Sequence, residues 1–426
     1  MSISPVRATV VGLLLAAAAT ATGVALSQGV DASTSDELSS ISVGVTGSSL
    51  ACSTVVATSQ DLRGVHTAVA DGLLEPFGIA FTPDSHHLLV DSLFTPTYRP
   101  GATPPTSSPS GITEYSVVGS ALSKDRSTPI QGSSLVGMAV SPNRKMLAAA
   151  NNDGASIFSL PRIEQRKNAP RAWLLGTLVS GGQGGIETAF SPDSQYVFVS
   201  LENSGELAVF NLKKALKDGF KPSDLVGYVP LGLAPVGLAV APNGRYLYAT
   251  SEAASPQEPG DAGPSGREGT LSTIDLHRAE HDPARSVIST VWAGCSPVRV
   301  AASKSDVFVT ARGSDELVEF SAADLVSRPE KALVGHVGVG EFPVGLALVD
   351  HGKDAIVADS NRINLATAHS DLAVVSTGGS GPLSLVGYVK AGAFPRDMSV
   401  SPDGKTLAVS NFDSGEIETV QLSPLP

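Results

Sequence analysis

The stretch APVGLAVAPNGRYLYA, residues 234–249, decides the fold, because it returns six more times along the chain. Its counterparts are EPFGIAFTPDSHHLLV (75–90), SLVGMAVSPNRKMLAA (134–149), GGIETAFSPDSQYVFV (184–199), SPVRVAASKSDVFVT (296–310), FPVGLALVDHGKDAIV (342–357) and FPRDMSVSPDGKTLAV (394–409). Each is an elaboration of P-x-G-apolar-Ala-apolar, a Ser-Pro-Asp/Asn-Gly turn and a second apolar run. The glycine slot falls at Gly78, Gly137, Glu187, Gly237, Arg299, Gly345 and Asp397, with 46 to 62 residues between neighbours. A period of that length in strand-rich sequence predicts an all-β, seven-bladed β-propeller, with one four-stranded antiparallel blade per repeat. Such a scaffold carries many activities, so the fold leaves the function open.

Within a repeat the pieces read as strands A to D from the axis outward. Both faces of a blade pack on neighbours, so strict apolar/polar alternation is not expected. The Pro-Asp-Gly and Pro-Asn-Gly steps (402–404, 242–244) are A–B turns: proline pre-sets φ, and glycine takes the positive φ. Residues 205–210 and 415–420 read as C strands, and 225–229 and 385–389 as D strands. The last repeat runs out after its C strand, while residues 64–69 form a D-like run ahead of the first A strand. The N-terminal run is therefore expected to complete the last blade and close the ring, removing exposed edges. Ser53–Ser59 also reads as strand-like and suggests an extra strand.

Composition narrows the setting. Lys and Arg number 29 against 41 Asp and Glu, a formal charge of −12, so no basic footprint exists for nucleic acid or anionic membrane surfaces. Residues 1–27, with Arg7 ahead of the apolar run 10–19 and Ala19-Thr20-Ala21 after it, read as a secretory signal. The apolar run is too short and too interrupted for a stable membrane span. Residues 28–52 read as a flexible leader and 53–426 as the propeller, exported to the periplasm or outside the cell, and monomeric. The two cysteines, Cys52 and Cys295, could form one disulfide in that setting; sequence alone does not bring them together.

Three repeats carry a charge in the glycine slot: Glu187, Arg299 and Asp397, from blades 3, 5 and 7, with Arg396 beside Asp397. Glu75 and Glu341 stand just ahead of strand A in blades 1 and 6. These groups are expected at one mouth of the central channel. The same mouth should receive the long B–C loops near residues 93–110, 252–268 and 359–370, which read equally as binding elements and as neutral insertions. A carboxylate there could activate water and an arginine could stabilise an oxyanion. The same groups could instead neutralise one another as a salt-linked plug. The rim carboxylates could also take a divalent cation, although no motif asks for one. His277 and His281, at i, i+4 spacing, and the pair His86-His87 are weak metal candidates. Trp173 and Trp292 fall in D strands and read as packing residues. No G-x-S-x-G, G-x-x-x-x-G-K-[ST], H-E-x-x-H or C-x-x-C occurs, so no cofactor is expected.

The repeat phrase resembles the YVTN-type β-propeller repeats of exported bacterial proteins over nearly everything after residue 60. Blade 7 is also similar to seven-bladed lactonases of the 6-phosphogluconolactonase type, through Phe394-Pro395-Arg396-Asp397 and the turn Ser410-Asn411-Phe412-Asp413-Ser414. Residues 201–204 and 251–252 echo that family more faintly. By that resemblance Arg396, Asp397 and Asn411 would belong to its site. The P-R-H form of the family occurs in no repeat, and its phosphosugar members are cytoplasmic. The leading expectation is a binding or scaffold module that captures a protein, small-molecule or sugar ligand at the channel mouth. The second is a lactonase-like hydrolase, with Asp397 or Glu187 as general base and Arg396 or Arg299 at the oxyanion. A third is the propeller subunit of a periplasmic dehydrogenase complex.

Overall fold

The computed structural model describes residues 44–50, 52–55, 57–93, 110–130, 134–165, 173–254, 267–361, 370–377, 381–423 and 425. The expected signal segment and the centres of the three long B–C loops lie outside these residues. Seven four-stranded antiparallel sheets make the body. Blade 1 holds Ile79–Phe81, His87–Leu93, Ser110–Val118 and Ala121–Pro129. Blade 2 holds Val136–Val140, Met146–Asn151, Gly154–Ser159 and Leu174–Val179. Blade 3 holds Gly185–Phe190, Tyr196–Leu201, Glu206–Asn211 and Leu225–Pro230. Blade 4 holds Leu233–Val240, Tyr246–Ala253, Glu268–Asp275 and Val287–Cys295. Blade 5 holds Pro297–Ala302, Asp306–Ala311, Glu316–Ser321 and Leu333–Gly338. Blade 6 holds Pro343–Val349, Asp354–Asp359, Asp371–Ser376 and Ser384–Lys390. Blade 7 holds Pro395–Val400, Thr406–Asn411 and Glu416–Gln421, and takes its outer strand, Thr67–Ala70, from the N-terminal side. Each innermost strand touches the next, and that of blade 7 touches that of blade 1.

The apolar core is distributed around this ring. Seven buried clusters lie between successive blades, for example Ile157, Phe210 and Val199 between blades 2 and 3, and Phe308, Leu317 and Val357 between blades 5 and 6. Strands B and C therefore bury both faces, which is why their sequences read as unbroken apolar runs. Short helices follow strand C in blades 2 to 5. Those of blades 3, 4 and 5 begin at Asn211, Asp275 and Ser321, whose side chains accept a backbone N–H in the first turn. Trp173 is buried in the turn just ahead of the blade 2 D strand, and Trp292 lies in the blade 4 D strand. No helix of the described residues is long and apolar enough to cross a membrane.

Ahead of its strand in blade 7, the N-terminal arm runs along the outside of blades 4, 5 and 6. Thr46, inside the expected leader, bridges to Val291 of blade 4. Cys52 is bonded to Cys295, with Cα atoms 5.4 Å apart. The Val55 N–H donates to the Ser314 carbonyl of blade 5 at 3.1 Å, and the Leu62 N–H to the Tyr388 carbonyl of blade 6 at 2.7 Å. No strand forms among the described residues of the 53–59 segment: the arm crosses from one blade to the next and meets no single edge for long enough. The disulfide spans 243 residues of sequence and ties the arm to the ring, so it restricts the unfolded chain strongly. Replacing both cysteines with serine is expected to lower unfolding stability by about 2–4 kcal/mol. Denaturant melts with and without reductant check this: reductant should lower the wild-type midpoint and leave the double variant unchanged. Coincident melts of wild type and variant would show that the tether contributes nothing.

Candidate functional site

The slot residues sit at a bulge in strand A. In blade 4, Pro235 faces Ser251 but Leu238 faces Ala249, so one extra residue is fitted at the slot; blades 3, 5, 6 and 7 show the same shift. A bulge re-aims a side chain and frees its backbone from the ladder. Three residues earlier the chain turns through a left-handed backbone in six repeats, at Glu75, Gly184, Ala234, Ser296, Phe342 and Phe394, with φ between 45° and 78°.

The freed backbone groups are latched by a hydroxyl on strand B. The Gly237 N–H donates to Thr250 Oγ1 at 2.9 Å, and Thr250 Oγ1 donates to the Val298 carbonyl of the next blade at 2.7 Å. Ser200 links Glu187 to Val236 in this way, Thr310 links Arg299 to Val344, and Ser410 links Asp397 to Phe77. In blade 1 the position is taken by Asp91, whose Oδ1 accepts the Gly78 N–H at 3.0 Å and whose buried Oδ2 has no partner. Burial, and next the Asp397 charge, push the Asp91 carboxyl well above the usual carboxylate range. Burial thus favours the protonated form of Asp91, the form that can donate a proton as the hydroxyls do.

On this frame Glu187, Arg299 and Asp397 come together. Glu187 Oε1 lies 3.3 Å from Arg299 Nε, and Glu187 Oε2 accepts the Leu238 N–H of blade 4 at 2.9 Å. Asp397 Oδ2 accepts the Ile79 N–H of blade 1 at 3.3 Å. The two carboxylates thus hold the same position, one residue past the slot, of the following blade. Burial pushes the Glu187 carboxyl up to about 7, with Arg299 pulling it down and Asp397 pushing it further up. Asp397 is also raised by burial, against Arg299 and its backbone donors. The Arg299 side chain is only 6% exposed. Its Nε faces Glu187 at ion-pair distance without hydrogen-bond alignment, and Nη2 has no acceptor. A buried guanidinium with open donors beside a carboxyl that titrates near neutrality can receive developing negative charge and move a proton.

Arg396 stands one residue ahead of the slot. Its guanidinium lies 3.9 Å from the Phe77 ring centroid and 5.3 Å from those of Phe394 and Phe412. Its charge pulls down the carboxyls of Asp397, Asp91 and Glu75. The equivalent residues of blades 3 to 6 (Ile186, Val236, Val298 and Val344) pack with Phe394 and Phe412 into an apolar collar. Glu75, half-buried, joins the Arg396 side of this site, and burial and Asp413 raise its carboxyl. Two expected members stand elsewhere. Glu341 is exposed beside Asp315. Asn411 is fully buried within blade 7, where its Nδ2 donates to Glu418 at 3.2 Å, and burial pushes Glu418 to about 7. The neighbour of Asn411, Ser410, is the one that faces the axis.

Among the described residues His277 and His281 belong to no group of three potential metal ligands. His277 and His281 stack with ring centroids 4.9 Å apart, and His281 Nδ1 lies 2.9 Å from the His277 carbonyl. One group of three potential ligands occurs among the described residues: His87, Glu114 and Asp125, within 4.8 Å of one another. Glu114 is already paired with Arg126 at 2.7 Å, and His87 Nδ1 with Asp84 at 2.8 Å.

Residues 345–424, which span blades 6 and 7, match the family described as Lactonase, 7-bladed beta-propeller. The chain is a seven-bladed propeller, and its last two blades are similar to that family. The matched segment includes Arg396, Asp397 and Asn411, and leaves out Glu187 and Arg299. No curated protein matches the chain. The propeller is similar to a chain of the "Crystal Structure of Mitotic Checkpoint Complex", with TM-score 0.59 and 13% identity over 90% of this chain and 99% of that one. It is also similar to a chain of "Kuenenia stuttgartiensis Hydrazine Synthase", with TM-score 0.59 and 14% identity over 85% and 99%. At such identities these likenesses speak for the fold alone.

Thr250→Val keeps the side-chain shape and removes both latch bonds, leaving the Gly237 N–H and the Val298 carbonyl buried without partners. A loss of about 1–3 kcal/mol is expected, read by denaturant melts, with Thr250→Ser close to wild type. A Val variant as stable as wild type would show that the latch carries no weight.

Proposed function

We propose that this lactonase-like propeller is an exported hydrolase that opens a small lactone ring at its axis. The observation that carries this reading is the Glu187–Arg299 pair: a carboxyl poised near 7 against a buried guanidinium with unfilled donors. In the reaction, ionised Glu187 takes a proton from water as the water oxygen bonds to the lactone carbonyl carbon. The carbonyl oxygen becomes an oxyanion, which Arg299 stabilises. The tetrahedral centre then collapses, the ring C–O bond breaks, and Glu187 returns its proton to the departing alkoxide. One water is consumed and one hydroxy acid is formed. Asp397 raises the basicity of Glu187, and Arg396 faces the same group of carboxyls. Export is supported by the Cys52–Cys295 bond, since structural disulfides persist chiefly in oxidising compartments.

A second reading, a binding module without turnover, is favoured by one feature: both axial carboxylates already accept N–H groups of the next blade. Proton release over a panel of sugar and simple lactones separates the two. For the hydrolase, kcat/KM rises with pH through about 7, because only the ionised Glu187 is a base. Glu187→Gln is expected to lose about 10²-fold or more, and Arg299→Met about 10²–10³-fold. Asp397→Asn moves the pH profile down, because it removes a charge that raises Glu187. Absence of turnover on every lactone, or equal turnover in Glu187→Gln, rules out the hydrolase and leaves the binding module.

A further inference from the structure

Two repeats lack the Pro-Asp/Asn step in the turn between strands A and B, and they are neighbours. Blade 5 reads Ser303-Lys304-Ser305-Asp306, and blade 6 reads Asp350-His351-Gly352-Lys353. At two other junctions a serine hydroxyl ties one turn to the next. Ser194 Oγ of blade 3 accepts the Asn143 N–H of blade 2 at 3.1 Å, and Ser85 Oγ of blade 1 accepts the Asp403 N–H of blade 7 at 3.1 Å. Between blades 5 and 6 a cleft of about 550 Å³ opens instead, lined by Ser303, Lys304, Asp306, Glu319, Lys353 and Thr377 among others.

Glu319, on the blade 5 C strand, is the unusual member. It is only 7% exposed, yet among the described residues no hydrogen bond or ion pair reaches its carboxylate. It stands opposite Phe308 in the strand pair, with Asp306 two residues away on the same face. Burial, and next the Asp306 charge, push its carboxyl to about 7. A largely buried carboxylate without a counter-charge in the fold, set in a cleft, is a candidate to take a cation from solution. Several other polar groups of the lining are engaged within the turns. Ser303 Oγ accepts the Asp306 N–H at 2.9 Å, Thr377 Oγ1 donates to the Gly352 carbonyl at 2.6 Å, and Lys353 Nζ pairs with Asp350 at 2.9 Å. With these hydroxyls engaged in the turns, recognition falls to charge rather than to a polyol. Two carboxylates on one face of blade 5 suit an ammonium group, and His351 also lines the cleft. Lys304 adds a positive charge to the same lining.

We propose that this cleft is a second ligand site, separate from the axis, which takes a small zwitterion such as a free amino acid, its ammonium on Glu319 and Asp306 and its carboxylate on Lys304. Calorimetric titration of the full chain with the free amino acids, methylamine, acetate, glucose and calcium tests it. At least one amino acid is expected to bind more tightly than methylamine or acetate. Glu319→Gln and Lys304→Glu should each weaken that binding tenfold or more, while Glu187→Gln should leave it unchanged. Glu319→Gln removes an unpaired buried charge, so its melting temperature should match or exceed that of wild type; Lys304→Glu provides a second test through a different residue. Absence of binding by every amino acid, undiminished binding in both cleft variants, or binding of calcium or glucose alone would overturn the proposal. None of these outcomes depends on whether the axial site hydrolyses lactones.

Discussion

Seven strands converge on one axis, and each must satisfy backbone groups that the bulge at the slot removes from its own ladder. The solution is a hydroxyl that accepts from its own blade and donates to the next, as in the Gly237–Thr250–Val298 relay. One side chain therefore satisfies two buried groups and joins two blades, and its loss leaves both orphaned. Four such relays, with the Asp91 carboxyl in a fifth position, fix where the slot side chains point. The charged layer at the axis depends on that constraint.

The order of slot residues follows from crowding. A Cβ on Gly137 would lie 2.1 Å from the Ile186 carbonyl oxygen, and one on Gly237 would lie 2.4 Å from that of Val298. In both cases the obstructing carbonyl belongs to the residue just before a charged slot, Glu187 or Arg299. Glycine in one blade thus makes room for the backbone that carries a charge in the next. Glu187 and Asp397 each hold the neighbouring blade through a backbone N–H, and both surround a single buried guanidinium. Such a layer stiffens the ring and keeps one carboxyl near neutrality at the same time. Buried ion pairs by themselves are weak evidence of stability; here the open donors of Arg299 are what support a chemical role.

Much of this was legible in the sequence because repeats superimpose. The same slot in each copy must reach the same place on the axis, so Glu187, Arg299 and Asp397 could be expected to meet, and they do. Residues outside the repeat phrase were not so constrained. The family resemblance points to Asn411, but a one-residue step along a strand turns the side chain to the other face, and it is Ser410 that reaches the axis. Glu341 precedes its strand on an exposed corner whose direction sequence does not give. Asp91 carries no motif, but the position thirteen past the slot sets it among Ser200, Thr250 and Ser410. Glu319 carries no motif at all. Its significance appears only once two atypical turns are seen to be adjacent in space.

The most direct test is the titration of the Glu187 carboxyl itself, followed by carbon-detected NMR on selectively labelled protein with Glu187→Gln to assign the signal. A carboxyl buried at the axis and held by Arg299 titrates near 7, higher still in Arg299→Met and lower in Asp397→Asn. A midpoint near the ordinary 4.5, unchanged when Arg299 is removed, would contradict the charged axial site and with it the chemistry proposed for it.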